Sequence, residues 1–173
     1  WYHKATLENA LNYHFENFKK LEKISNLPMM AGMRPEEFIP IGCARRDMLF
    51  EIQAYICQFR RIRYFLINLN KRGLPPPTEP IAKEVWNSLL NEESLELQLA
   101  NKWAVHNSYD DPSGEPDKLH RQVFDLKNGL WKDTRKDRYV LNFGNQYFDL
   151  HEFHPKVLKF IDWLFIEAEK LIT

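Results

Sequence analysis

Ala44-Arg-Arg-Asp-Met48-Leu-Phe-Glu-Ile52-Gln-Ala-Tyr55-Ile-Cys-Gln-Phe59-Arg-Arg-Ile62-Arg-Tyr-Phe-Leu66-Ile-Asn-Leu69-Asn-Lys71 decides the fold. Met48, Ile52, Tyr55, Phe59, Ile62, Leu66 and Leu69 alternate steps of four and three. That is a heptad seam, and it needs a helix to line up on one side. Leu49, Ile56 and Phe65 widen the stripe, so this helix is expected to be the central strut. Gly73 and Pro75 to Pro77 end it.

Other helices are expected on both sides. His3 to Ile24 carries a stripe of Leu7, Leu11, His14, Phe15, Phe18 and Leu21. The segment after it contains Pro28, Gly32, Pro35 and Pro40 and reads as a loop. It is apolar, with Met29, Met30 and Met33 as gap-fillers, so it packs across the body. A third helix spans Glu79 to Asn91, with Pro80 in its first turn and Ile81, Val85 and Leu89 facing inward. A fourth runs from Glu93 to Asn107.

Asp110 to Asp117 holds two prolines and a glycine, and the pattern then changes. Arg121 to Leu126 is β-compatible. Arg138–Phe143 and Gln146–Leu150, joined at Gly144-Asn145, read as a β-hairpin. Lys127 to Asp137 reads as a charged loop anchored by Leu130 and Trp131. A last helix runs from Pro155 to Ile172, with His154 as its cap. The expected architecture is mostly α: an up-and-down bundle of about five helices with a small hairpin before the last one. Its 173 residues suit a single domain over 1–173.

Composition narrows the partners. Hydrophobic residues are 44% of the chain, enough for a core, so disorder is not expected. Lys plus Arg and Asp plus Glu both number 24. Bulk charge therefore does not attract nucleic acid, and only a local basic patch can. Arg45, Arg46, Arg60, Arg61 and Arg63 lie on or beside the outer face of the long helix. They form either a solvated face whose stems cover apolar surface or a phosphate-binding stripe. Cys43 and Cys57 are 14 residues apart. On one helix they are roughly 21 Å apart, too far for a disulfide. Free thiols fit a cytoplasmic protein. No apolar run approaches a membrane span, and no signal peptide is evident. The chain opens on Trp1 without an initiator Met, so residues are expected to precede it.

One stretch concentrates reactive side chains. Leu95 to Pro112 begins as a helix, with Leu95, Leu99, Lys102, Trp103 and His106 along one stripe. Asn107, Ser108, Asp110, Asp111 and Pro112 end it. His106 therefore sits in a last helical turn beside carboxylates. Three chemistries are open. His106 is a general acid or base, with Lys102 holding negative charge. Or His106 with Asp110 or Asp111 begins a metal site that needs His120, His151 or His154 to complete it. Or His106 merely caps the helix dipole. His151 and His154, at a strand end and a helix start, read as ordinary surface histidines. CxxC, HExxH, GxSxG and glycine-rich phosphate loops are absent.

Leu99-Ala100-Asn101-Lys102-Trp103-Ala104-Val105-His106, late in a helical domain of this length, resembles the signature helix of the HEPN superfamily. That signature is Arg, often followed by Asn, with His four to six residues beyond the Arg. Asn101 and His106 match. The Arg is missing, and Lys102 is the only cation on that turn. The resemblance implies an HEPN-like fold. It implies a metal-independent ribonuclease or RNA-binding protein of a prokaryotic defence or toxin–antitoxin system. It also implies a homodimer whose two signature helices line one cleft, where His106 assists attack of an RNA 2′-hydroxyl. Asn101, Lys102 and His106 are the candidate catalytic residues, and neither a cofactor nor a metal is expected. The other reading is a non-catalytic helical domain that dimerises or binds a protein partner.

Overall fold

The seam of the long helix is where the chain closes on itself. Met48, Ile52, Tyr55, Phe59, Ile62, Leu66 and Leu69 are all buried, none more than 6% exposed. The computed structural model describes residues 2–27, 33–100, 130–143 and 146–171. Its elements are α1 (Tyr2–Ser25), α2 (Pro35–Asn70), α3 (Pro80–Leu90), α4 (Leu95–Gln98), β1 (Leu130–Asp133), β2 (Arg138–Phe143), β3 (Gln146–Phe148) and α5 (Leu150–Lys170). The fold is mostly α, as the periodicity predicts, with a small antiparallel sheet before the last helix.

α1 packs along α2 in the most extensive contact between helices. The two run antiparallel: Ser25 meets Arg45, and His14 meets Glu51. Leu11 and Phe18 are the fully buried positions of the α1 stripe. α5 lies across both and against α3. Phe59 meets Phe153, Phe65 stacks on Phe165, and Trp86 meets Trp163 edge to face. Glu79 caps α3 by accepting the Ala82 N–H at 2.8 Å, with Pro80 next, as expected.

Three boundaries differ from expectation. α2 begins at Pro35, not Ala44. Pro35 presets φ at the first helical position, and Glu36 and Glu37 favour the positive N-terminal end. The Glu37 carboxylate also accepts the Arg34 N–H at 2.9 Å. Pro40 lies inside the helix and forfeits one ladder bond. Burial of Ile41 and Ala44 just beyond it outweighs that loss. Of the proposed gap-fillers, Met33 is half-buried, and Met29 and Met30 lie outside the described residues.

α5 begins at Leu150, not Pro155. Its cap is Asp149, whose carboxylate accepts the His151 and Glu152 N–H groups at 3.1 and 3.3 Å. His154 is not the cap but lies inside the helix and is buried. Asp149 also ends β3, which stops at Phe148 rather than Leu150.

Leu130–Asp133 is a strand, not part of a loop. It pairs with β2, so the sheet has three strands in the order β1-β2-β3. Leu130 pairs with Leu141, which pairs with Phe148, and these three face the core. The Asp133 side chain accepts the Arg135 N–H at 2.9 Å, and Asp137 takes a left-handed φ of 49°, which closes the turn. The Arg121 to Leu126 run and the second half of the expected fourth helix lie outside the described residues.

Candidate functional site

Asn101, Lys102 and His106 lie outside the described residues, as do Asp110, Asp111 and His120. The structure does describe the platform that leads to them. Ser94 caps α4 by accepting the Leu97 N–H at 3.3 Å, and its hydroxyl donates to the Ser88 carbonyl at 2.5 Å. Leu97, Leu99 and Ala100 are fully buried, so the chain is fixed in the core up to the residue before Asn101. Arg63 clamps this elbow to α2. Its Nε donates to the Leu89 carbonyl at 3.0 Å, and its guanidinium pairs with the Glu92 carboxylate.

A second polar cluster emerges where sequence reasoning placed surface histidines. His151 and His154 share one face of α5, turned toward α1 and α2. His154 is 6% exposed and lies flat against Phe15, ring centroids 4.0 Å apart. Asn12 Oδ1 is 3.1 Å from its Nε2, which therefore carries the proton and donates. Nδ1 then accepts from the Tyr55 hydroxyl at 3.1 Å. Burial pushes the Tyr55 phenol far up, so it keeps that proton. Burial is also the main cause that pushes His154 down to about 4, with Lys19 and His151 adding to it against Glu16. His154 is thus a neutral imidazole held at both nitrogens.

His151 is partnered differently. Its Nε2 donates to Glu22 Oε2 at 2.9 Å, and Glu22 Oε1 accepts the Tyr139 N–H at 2.6 Å. Glu22 is itself buried, and one carboxylate thereby ties α1 to both α5 and β2. The Tyr139 hydroxyl shares a 2.8 Å hydrogen bond with Ser25. The arrangement engages both nitrogens of His154 and both oxygens of Glu22, and pairs His151 through Nε2. It holds three helices and a strand in register. The signal was present in the sequence, because His154 lies three before Val157 and seven before Ile161 on the core stripe. Reading Pro155 as a helix start hid it.

A groove of about 660 Å³ opens between the sheet, α3, α4 and the start of α5. Exposed Trp131 and Tyr147 line it with Glu84, Glu96, Lys136, Asp149, Glu152 and Lys156. Most of the charges named there answer one another. Lys136 pairs with Glu152 at 2.6 Å, Arg138 with Asp149 and Glu152, and Lys156 with Glu84 at 2.6 Å. The hydrogen bond from Lys136 is the largest cause holding the Glu152 carboxyl below its usual range, and the same bond raises Lys136.

Among the described residues no three His, Cys, Asp or Glu side chains gather where they could hold a metal ion. Cys43 and Cys57, both on α2, are not disulfide-bonded, and burial pushes the Cys57 thiol up. No described helix is long and apolar enough to cross a membrane. Compared with protein families, curated proteins and solved structures, the chain finds no match.

Proposed function

We propose that this chain is an HEPN-like domain acting on RNA, as a metal-independent ribonuclease or an RNA-binding protein. In this reading it works as a cytoplasmic homodimer within a prokaryotic defence or toxin–antitoxin system. The Asn101–His106 spacing, led in by the buried Leu99 and Ala100, carries the reading. His106 takes the proton from the attacking 2′-hydroxyl, and Asn101 with Lys102 positions the phosphate. The mostly α frame agrees with this reading without deciding it.

The alternative is a non-catalytic domain that dimerises or binds a protein partner. The missing Arg favours it. Leu99 and Ala100 are fully buried, so neither position can present a guanidinium to solvent.

Three proteins separate the two: the unmodified chain, His106→Ala and Asn101→Arg. General acid–base catalysis contributes typically 10²–10⁴-fold, so cleavage by the unmodified chain should vanish in His106→Ala while the fold persists. Activity that appears only in Asn101→Arg identifies a decayed site on an intact scaffold. If none of the three cuts or binds RNA and all stay folded, the RNA reading is wrong and the interaction domain takes its place.

A further inference from the structure

The ion pairs are unevenly spread along the chain. Several cations on the other helices and in the sheet are answered nearby: Lys4 by Asp162, Lys19 by Glu16, Lys156 by Glu84, Lys170 by Glu167, Lys132 by Asp137. Lys20, Lys23, Lys83 and Lys159 are exposed single cations with carboxylates nearby in sequence, and the second half of α2 and its exit differ from them in local composition. From Ile52 to Thr78 there are five Lys or Arg and not one Asp or Glu, in a chain whose formal charge sums to zero. Of those five, Arg63 is spent on Glu92 and the Leu89 carbonyl. Arg60, Arg61, Lys71 and Arg72 have no carboxylate within ion-pair distance among the described residues, and all four are exposed. Arg61 makes one neutral contact, donating to the Gln58 amide oxygen at 3.1 Å.

An aromatic ring stands among these cations. Tyr64 is 73% exposed, the most exposed of the large hydrophobic residues described. At 100° per residue, Arg60, Arg61, Tyr64, Asn68 and Lys71 fall within an arc of about 100°, opposite the heptad seam. A ring that exposed gains nothing from the core. Cations this close together repel one another unless an anion answers them.

We propose that this face of α2 docks single-stranded RNA. Arg60, Arg61 and Lys71 contact successive phosphates, and a base stacks on Tyr64. Guanidinium groups suit phosphate through paired N–H donors, and an exposed ring serves any base. The stripe also lies beside the elbow that leads to the signature segment, since Arg63, one turn from Arg60, holds that elbow. The choice of RNA rests on the reading under Proposed function; the surface does not depend on His106.

The test is fluorescence anisotropy with a fluorescein-labelled 20-mer of uridylate, titrated at several KCl concentrations. Single-strand binding loses about 0.7 in log–log salt slope for each phosphate contact removed. Arg60→Ala/Arg61→Ala should thus weaken binding and flatten the slope by about 1.4. Tyr64→Ala should weaken it roughly fivefold or more at an unchanged slope, and Tyr64→Phe should restore it. All these side chains are exposed, so circular dichroism should be unchanged. Equal binding by the unmodified chain and every variant overturns the surface and leaves the RNA reading standing. So does His106-dependent cleavage that the Arg variant retains. No RNA binding by the unmodified chain overturns both. Arg-dependent binding to phosphatidylserine vesicles without RNA binding overturns the proposal in favour of a membrane surface.

Discussion

Two polar regions meet at the start of α5 and are built on opposite principles. His154 and Tyr55 lie in the interior, where burial keeps the imidazole neutral, and Asn12, an exposed residue of α1, accepts from the imidazole Nε2. Lys136, Arg138, Asp149 and Glu152 lie mostly at the surface, where charges are kept and answered by opposite charges. One side of the first turns of α5 is thus fixed by exclusion of water and the other by attraction through it. The interior cluster should respond to pH and ignore salt, and the surface cluster should respond to salt. Phe153 sits between them, resting on Phe59 and Phe148.

The largest effect should come from removing that shared floor. Phe59 is 1% exposed on the α2 seam. Phe59→Ala deletes a buried ring under both clusters and should cost about 3–5 kcal/mol in chemical denaturation. A loss below about 0.5 kcal/mol would mean that α5 does not rest on α2 as described.

How much of this was legible beforehand follows from what kind of force sets each feature. The α2 seam was legible because seven residues at heptad spacing have one low-energy solution, a helix buried along that side. The starts of α2 and α5 were not. Pro40 reads as part of a loop and Pro155 as a helix start, yet each lies inside a helix whose packing beyond it exceeds one lost hydrogen bond. The histidine cluster was missed for the same reason, since placing the helix start at Pro155 cut His151 and His154 off from their stripe. β1 was missed because Leu130-Trp131-Lys132-Asp133 is too short and charged to show alternation alone; its identity comes from pairing with Val140 and Leu141. The signature segment was legible only as spacing. Asn101, Lys102 and His106 lie outside the described residues, so their chemistry stays at the level of residue type.

The next effect in size isolates the interior cluster. His154 titrates near 4 when folded against an ordinary 6.5. Between those values the unfolded chain binds a proton that the folded chain refuses, so folding stability falls as pH drops through that window. Above 6.5 the full stability is present. From pH 7 to 4.5 the loss from this group should be about 2 kcal/mol. Carboxylates titrate in the same range, so the measurement is a difference: the pH dependence of unfolding for the unmodified chain minus that for His154→Gln. A flat difference would show that His154 is as free to charge in the folded chain as in the unfolded one.

The smallest effect should come from the surface cluster, and its smallness is what makes it informative. Lys136 reaches both Asp149 and Glu152, and its side chain is 45% exposed. An exposed pair contributes about 0–1 kcal/mol and is screened by salt. Lys136→Ala should therefore lower stability only slightly at low salt, and not measurably at 1 M NaCl. Arg138 stays on the same carboxylates and keeps them answered. Asp149→Ala is the control on the same network. It removes the cap of α5, and a cap is worth about 1 kcal/mol. Most of that survives salt, because a short hydrogen bond to a backbone N–H does not depend on distant charge. A Lys136→Ala cost that persists at 1 M NaCl would mean that the Lys stem holds the turn by packing. The corner would then be built on the same principle as the interior, and the contrast between the two clusters would vanish.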